Sequence, residues 1–219
     1  MSNVNAGLAF PALACMIFLA ARYHGGMAEP SDWRALWDRR YEDEKERWRE
    51  PDPSLVNLYE EFLRAAFPKG GRALDVAGGM GRHAMWLAER GWDVTLWDFS
   101  GVALQNMAQI ASARKVSVNA VKADVRAADF GIEIYDLIVI FYFLEREILP
   151  RLVPALRPGG FLLYKTYTLE QLEFEKGPKD EAYLLKPNEL LQTFRGVHVV
   201  HYNESVTDGG RAEILLRKV

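Results

Sequence analysis

Cysteine is almost missing from this chain: Cys15 stands alone among 219 residues, so neither an internal disulfide nor a thiolate zinc site can be built, and a reducing, cytoplasmic setting fits best. Histidine is scarce too, with four in all, and His198 and His201 sit three apart on an expected strand, a spacing that sends their side chains to opposite faces. No metal site is expected. Positive charge is not in excess, since 27 Lys and Arg against 30 Asp and Glu leave −3. That gives no general attraction to a phosphate backbone and argues against a nucleic-acid partner. No apolar run is long enough for a bilayer: Ala6 to Ala21 is roughly 16 residues against the ~20 needed, and Pro11 interrupts it. As a secretory signal the same stretch lacks a preceding Lys or Arg. Residues 1–29 are therefore read as a dispensable apolar leader and residues 30–219 as one folded domain; a membrane partner is not expected, and nothing here bears on the oligomeric state.

What is present is globular in composition, 49% hydrophobic and 26% charged. Trp33, Leu36, Trp37, Arg40 and Tyr41 fall at helical spacing behind a Ser31 cap, and Leu55, Leu58, Tyr59, Phe62, Leu63 and Ala66 do the same behind Ser54. The mixed-sign run Arg39 to Glu50 between them reads as a solvated face. Strand, glycine turn and helix follow in Ala73–Ala77, Gly78-Gly79-Met80-Gly81 and the stretch that closes at Gly91. A second strand, Trp92–Trp97, ends at Asp98, and Ser100 caps the next helix. Val116–Lys122 and Tyr135–Phe141 are strands three and four, the fourth with the continuous apolar character of a strand covered on both faces. A short helix Leu149–Leu156, a turn Arg157–Gly160, a fifth strand Phe161–Tyr167 and a helix from Pro187 to about Phe194 come next. Val197–Tyr202 and Ala212–Val219, joined by Asp208-Gly209-Gly210, read as a hairpin that adds an antiparallel pair to a parallel sheet.

Open α/β sheets bind ligands at the carboxyl ends of their strands. Small residues at 77, 78, 79 and 81 let the backbone approach a ligand closely, and Gly79-Met80-Gly81-Arg82-His83-Ala84 even fits the loose dinucleotide pattern G-x-G-x-x-A. Three acids at successive strand ends argue otherwise. Asp75 would face a diphosphate badly but suits a cationic amino acid moiety; Asp98 offers two acceptor oxygens for the hydroxyls of a ribose; Asp124 can accept from an adenine amino group.

On Leu74-Asp75-Val76-Ala77-Gly78-Gly79-Met80-Gly81-Arg82-His83-Ala84, Val94-Thr95-Leu96-Trp97-Asp98-Phe99-Ser100 and Lys122-Ala123-Asp124-Val125, the chain resembles a class I S-adenosylmethionine-dependent methyltransferase from roughly Trp33 to Val219. Tyr135-Asp136-Leu137-Ile138-Val139 and Leu156-Arg157-Pro158-Gly159-Gly160 add to the resemblance. Trp37-Asp38-x-Arg40-Tyr41 and Gly81–Ala88 are similar to the tellurite-resistance and thiopurine type of small-molecule methyltransferase. The resemblance implies an α/β Rossmann-like, doubly wound sheet of seven strands, mostly parallel with an antiparallel last strand and helices on both faces. It implies S-adenosyl-L-methionine as cofactor, with Asp75 reaching the methionine amino group, Ala77, Gly78, Gly79 and Gly81 lining methionine and sulfonium, and Arg82 near the carboxylate. Asp98 would take the ribose, Phe99 one adenine face, Asp124 with Val125 the adenine edge, and Phe141 and Tyr142 would border the transferable methyl. The family's first glycine is Ala77 here, which adds a methyl group beside the cofactor.

On the acceptor side, Phe141, Tyr142, Phe143, Tyr164 and Tyr167 supply aromatic rings, and the long loop Thr168–Lys186 is the expected substrate cover. No recognisable acid–base pair stands out, so no catalytic residue is assigned. A small-molecule acceptor that is already a strong nucleophile, a thiol or a reduced chalcogen oxyanion, would need none. Trp33, Trp37 and Tyr41 read first as a packed helix face, with a lid over the cofactor as the alternative. The competing functions are a nicotinamide-dependent oxidoreductase and a non-catalytic cofactor-binding protein.

Overall fold

The computed structural model describes residues 30–43, 49–207 and 209–219. The leader at residues 1–29 lies outside them, as does most of the charged run after Asp43. Seven strands form one sheet in the order β3-β2-β1-β4-β5-β7-β6: β1 Arg72–Val76, β2 Asp93–Asp98, β3 Asn119–Lys122, β4 Tyr135–Phe141, β5 Leu156–Tyr167, β6 His198–Ser205 and β7 Arg211–Arg217. The first five pair in parallel, and β7 inserts antiparallel between β5 and β6.

Strand alternation divides the core between the two faces of the sheet. Leu74, Val76, Ile138, Ile140, Leu162 and Tyr164 are buried on one face; Ala73, Leu137, Val139, Phe141 and Leu163 are buried on the other. Covering both faces explains why β4 reads as an unbroken apolar run. The helices are α1 Pro30–Asp43, α2 Pro53–Leu58, α3 Arg64–Ala66, α4 Arg82–Ala88, α5 Gly101–Arg114, α6 Leu149–Ala155 and α7 Glu189–Thr193, with a π-helical turn Tyr59–Leu63 between α2 and α3.

Two local expectations need correction. Asp52, not Ser54, caps α2: its side chain accepts from the Ser54 N–H, and Pro53 occupies the first turn, where its missing N–H costs nothing. Arg157–Gly160 is not a separate turn but part of β5, where a register irregularity against β4 absorbs the extra residues; Gly159 N donates to the Lys218 carbonyl at 2.7 Å and Lys218 N to that of Gly160 at 2.9 Å.

The chain passes from β1 outward through β2 to β3, then returns to place β4 on the other side of β1. This reversal opens a crevice at the carboxyl end of β1, where open α/β sheets hold their ligands.

Candidate functional site

The crevice is lined by Asp75, Ala77, Gly78, Gly79, Met80, Gly81, Arg82, His83 and Phe141 from the sheet and its glycine turn, by Ile110 of α5, and by Arg40, Tyr41 and Arg49 from the N-terminal part of the chain. Counting the solvent-filled space at its open mouth, the cleft spans about 640 Å³.

The turn between β1 and α4 is tightly specified. Gly79 and Gly81 adopt left-handed φ values of +55° and +74°, and Gly81 is the residue from which α4 starts. Ala77 is left-handed as well, at +53°, a conformation that residues with a β-carbon rarely adopt. Its side chain therefore brings backbone strain in addition to the extra methyl that the sequence exposes.

Asp75 sits at the cleft floor, 1% exposed, with Oδ2 accepting from the Ala84 N–H at 3.1 Å. Burial pushes its carboxyl up, the Ala84 amide and the Arg82 guanidinium partly oppose this, and the result is about 7. A carboxyl group in this condition is matched by a ligand cation.

Asp98 closes β2 and is equally buried, but its carboxylate is already engaged: Oδ2 accepts from Gly79 N at 2.8 Å and Oδ1 from Ser100 N at 2.9 Å. Burial raises its pKa, and these two amides only partly offset that. Ser100 caps α5 through Ala103 N at 3.1 Å, as expected. Asp124, after β3, is paired with Arg126 at 2.7 Å and with Arg34 at 3.4 Å. The Arg126 hydrogen bonds hold its carboxyl down at about 2.

The structure thus brings Asp75, Ala77, Gly78, Gly79, Gly81, Arg82 and Phe141 together around one cleft, with Asp98 bonded to its turn. Phe99, Asp124, Val125 and Tyr142 are not among the residues lining it. At the ends of β2 and β3 the cover is α1, whereas Tyr142 is drawn to Asp52 and Lys165. Arg34 reaches Asp124, Asp38 accepts from the Ser100 hydroxyl, and the Tyr41 carbonyl accepts from Asn106 Nδ2 at 2.8 Å. Tyr41, buried, points its ring at Gly79. Both readings of this helix describe its position: it packs on α5, and its Arg40 and Tyr41 line the cleft. The amphipathic spacing shows that α1 packs but not against what.

Tyr142 on the acceptor side joins a polar network whose members no sequence spacing connects. Lys165, at the end of β5, donates to Asp52 Oδ1 at 3.0 Å and to Ser54 Oγ at 2.7 Å; the Ser54 hydroxyl in turn donates to Glu213, which lies 3.1 Å from Nε2 of His201. Lys165 and Glu213 are cross-strand partners on β5 and β7, and the start of α2 brings Asp52 and Ser54 to them. Burial raises the Asp52 carboxyl, but Lys165, Tyr142 and Ser54 outweigh it and leave it at about 2. His83 is buried and driven well below its usual value by desolvation, with Arg82 adding to the effect. The loop Thr168–Lys186 is pinned at its ends by the Leu185 N–H to Tyr167 carbonyl and the Leu169 N–H to Leu185 carbonyl bonds, each 2.9 Å, and carries short 3₁₀ turns at Leu169–Glu173 and Glu181–Tyr183.

A doubly wound sheet with a glycine turn after β1, an acid ending β2 and an antiparallel seventh strand beside β5 is the fold of the class I methyltransferases. The chain belongs to the tellurite resistance protein TehB family, whose model matches residues 54–214. It is 25% identical over 143 residues to a "Probable S-adenosyl-L-methionine-dependent methyltransferase TehB" of Haemophilus influenzae, covering 62% of this chain and 49% of that one. It is 35% identical over 133 residues to a "tRNA 5-carboxymethoxyuridine methyltransferase" of Escherichia coli, covering 57% and 48%. The chain thus spans about half the length of the curated relatives it matches. Among solved structures, TehB from Haemophilus influenzae superposes with a TM-score of 0.65 at 20% identity, over 85% of this chain and 67% of that one. A SAM-dependent methyltransferase from Aquifex aeolicus gives 0.61 at 18% identity, over 83% and 98%. These two likenesses concern the fold. Among the described residues no helix is long and apolar enough to cross a membrane.

Proposed function

We propose that this chain is an S-adenosylmethionine-dependent methyltransferase that transfers a methyl group to a small nucleophilic acceptor by direct displacement. The observation that carries the reading is Asp75: a buried carboxyl at the floor of a glycine-lined cleft, raised to about 7, is stabilised by a cationic ligand and opposed by a diphosphate. This disfavours a nicotinamide cofactor.

The residues present fit the cofactor. Asp75 would hold the methionine ammonium and Arg82 the carboxylate. Ala77, Gly78, Gly79 and Gly81 would follow methionine and sulfonium, while Asp98 and Phe99 would take ribose and adenine beneath α1, with Asp124 and Val125 at the adenine edge. A β-carbon on Gly78 would stand 2.7 Å from the Asp75 carboxyl carbon, so the bare backbone keeps that carboxyl open to the cleft. When bound, the cofactor supplies an electrophilic methyl on a sulfonium. This chain's own residues then align the partners and exclude water, with Phe141 and Tyr142 bordering the methyl.

The groups around Phe141 support an acceptor that brings its own nucleophile. His83 Nε2 accepts from the Asp52 N–H, and the Asp52 carboxylate takes Lys165, Tyr142 and Ser54, so each is committed to a partner. A thiol or reduced chalcogen oxyanion suits such a site. The tRNA named for one relative favours a second reading, an RNA acceptor, which the chain's charge balance does not decide.

Calorimetry with S-adenosylmethionine and with NAD tests the cofactor, using the wild type and Asp75→Asn. Binding of the first, weakened in the variant, supports the proposal; NAD bound in its place overturns it. Turnover with selenite, tellurite, an aryl thiol and bulk tRNA then identifies the acceptor class.

A further inference from the structure

Tyr142 adopts a backbone conformation that bulky side chains avoid, with φ at +57°. Such strain persists only where neighbours over-determine it, and it gathers at working sites. The Tyr142 N–H donates to the Lys165 carbonyl at 2.8 Å, and its hydroxyl donates to the Asp52 carboxylate. Its ring centre lies 5.2 Å from that of Tyr167 and 6.3 Å from that of Phe141, and the Arg82 guanidinium stands 5.7 Å from it.

Asp52 recurs in this arrangement. Besides Tyr142 it holds Lys165, and its backbone N–H donates to Nε2 of His83 at 3.3 Å. The His83 ring lies 4.1 Å from Phe141, within the cleft lining. The residue just ahead of α2 therefore ties down two rings that neighbour Phe141.

We infer that Asp52 is a positioning residue for methyl transfer, holding Tyr142 by its hydroxyl and His83 from the backbone so that the rings around Phe141 keep their places beside the sulfonium. The inference rests on the proposed cofactor reading. Asp52 itself touches no reacting atom; it acts through Tyr142 and His83. Because aromatic faces favour a sulfonium over a neutral thioether, the ratio of affinities for S-adenosylmethionine and S-adenosylhomocysteine reports the placement of these rings and needs no knowledge of the acceptor.

The test measures both affinities by calorimetry for the wild type, Asp52→Asn, Tyr142→Phe and the double variant, with thermal midpoints alongside. Tyr142→Phe keeps the ring and removes the hydroxyl, so a changed ratio reports its position. The preference for S-adenosylmethionine should fall roughly threefold or more in each single variant while S-adenosylhomocysteine binds as before. The double variant should fall no further than the larger single, because both changes remove the same bond. A uniform loss for both ligands, an unmoved ratio, or a double variant showing the product of the two singles overturns the inference. If Asp52→Asn does not fold, Tyr142→Phe decides alone, its ratio moving or not. A wild type that binds neither ligand overturns the cofactor reading and this inference with it; one that binds both, with the ratio unmoved, overturns the inference alone.

Discussion

The Tyr41 hydroxyl occupies the space that a side chain on Gly79 would need: a β-carbon built there falls 2.6 Å from the Tyr41 Oη. The φ of +55° at Gly79 adds a second, independent demand for glycine. Gly79→Ala should therefore cost about 1–3 kcal/mol in denaturant unfolding. Adding Tyr41→Phe should recover part of that loss, since the hydroxyl is the atom in the way. A Gly79→Ala protein as stable as the wild type would contradict this account.

The cover formed by α1 makes a separate prediction. Removing residues 27–50 strips Arg34, Asp38 and Tyr41 from Asp124, Ser100 and Gly79. S-adenosylmethionine affinity should drop by about tenfold or more, which is about 1.4 kcal/mol. Unchanged affinity in calorimetry would show that the helix is only packed there.

How far these features could be read beforehand depended on how local they are. The β1 to α4 unit, the Ser100 cap and the bounds of β4 follow from short-range patterns, and the structure has them close to where the patterns put them. The cap of α2 sits two residues ahead of Ser54, because Pro53 fits inside a first turn and leaves Asp52 as the capping residue. The strain at Ala77 and Tyr142 carries no local signature. The tie between Asp52 and Lys165 spans 113 positions, and no periodicity encodes it.

Asp75 should make cofactor binding pH-dependent. With a carboxyl at about 7 in the free protein, a bound ammonium drives deprotonation, so affinity should rise as pH climbs through 7 and level off above it. Near pH 7 the event should release about half a proton, read from calorimetry in buffers of different ionisation enthalpy. In the unliganded chain the sign is opposite for stability: the raised value contributes stability that is fully present below 3.8 and lost as pH rises through about 7. Asp75→Asn should flatten both dependences.

Ala77→Gly should stabilise the domain. Relief of the left-handed alanine is worth roughly 1–2 kcal/mol, and glycine's freedom in the unfolded chain returns about 0.4–1. A net gain of about 0.5–1 kcal/mol, seen as a small rise in Tm, is expected; a loss would place the strain elsewhere.

Lys165→Met should be severe. It leaves the Asp52 carboxylate buried without its ammonium, a change worth about 3–5 kcal/mol in equilibrium unfolding. Near-neutral behaviour would mean that Asp52 is compensated by Tyr142 and Ser54 alone.

The two amides gathered by Asp98 have a practical consequence for protein engineering. The carboxylate proposed to take the ribose also clasps Gly79 to Ser100, so the bend of one loop and the start of the neighbouring helix share a single fastening. Redesigning this protein for cofactor analogues with an altered sugar by exchanging residue 98 would reshape the methionine end as well. A change at Arg34 of α1, which pairs with Asp124 and touches neither end of that clasp, offers the cleaner route.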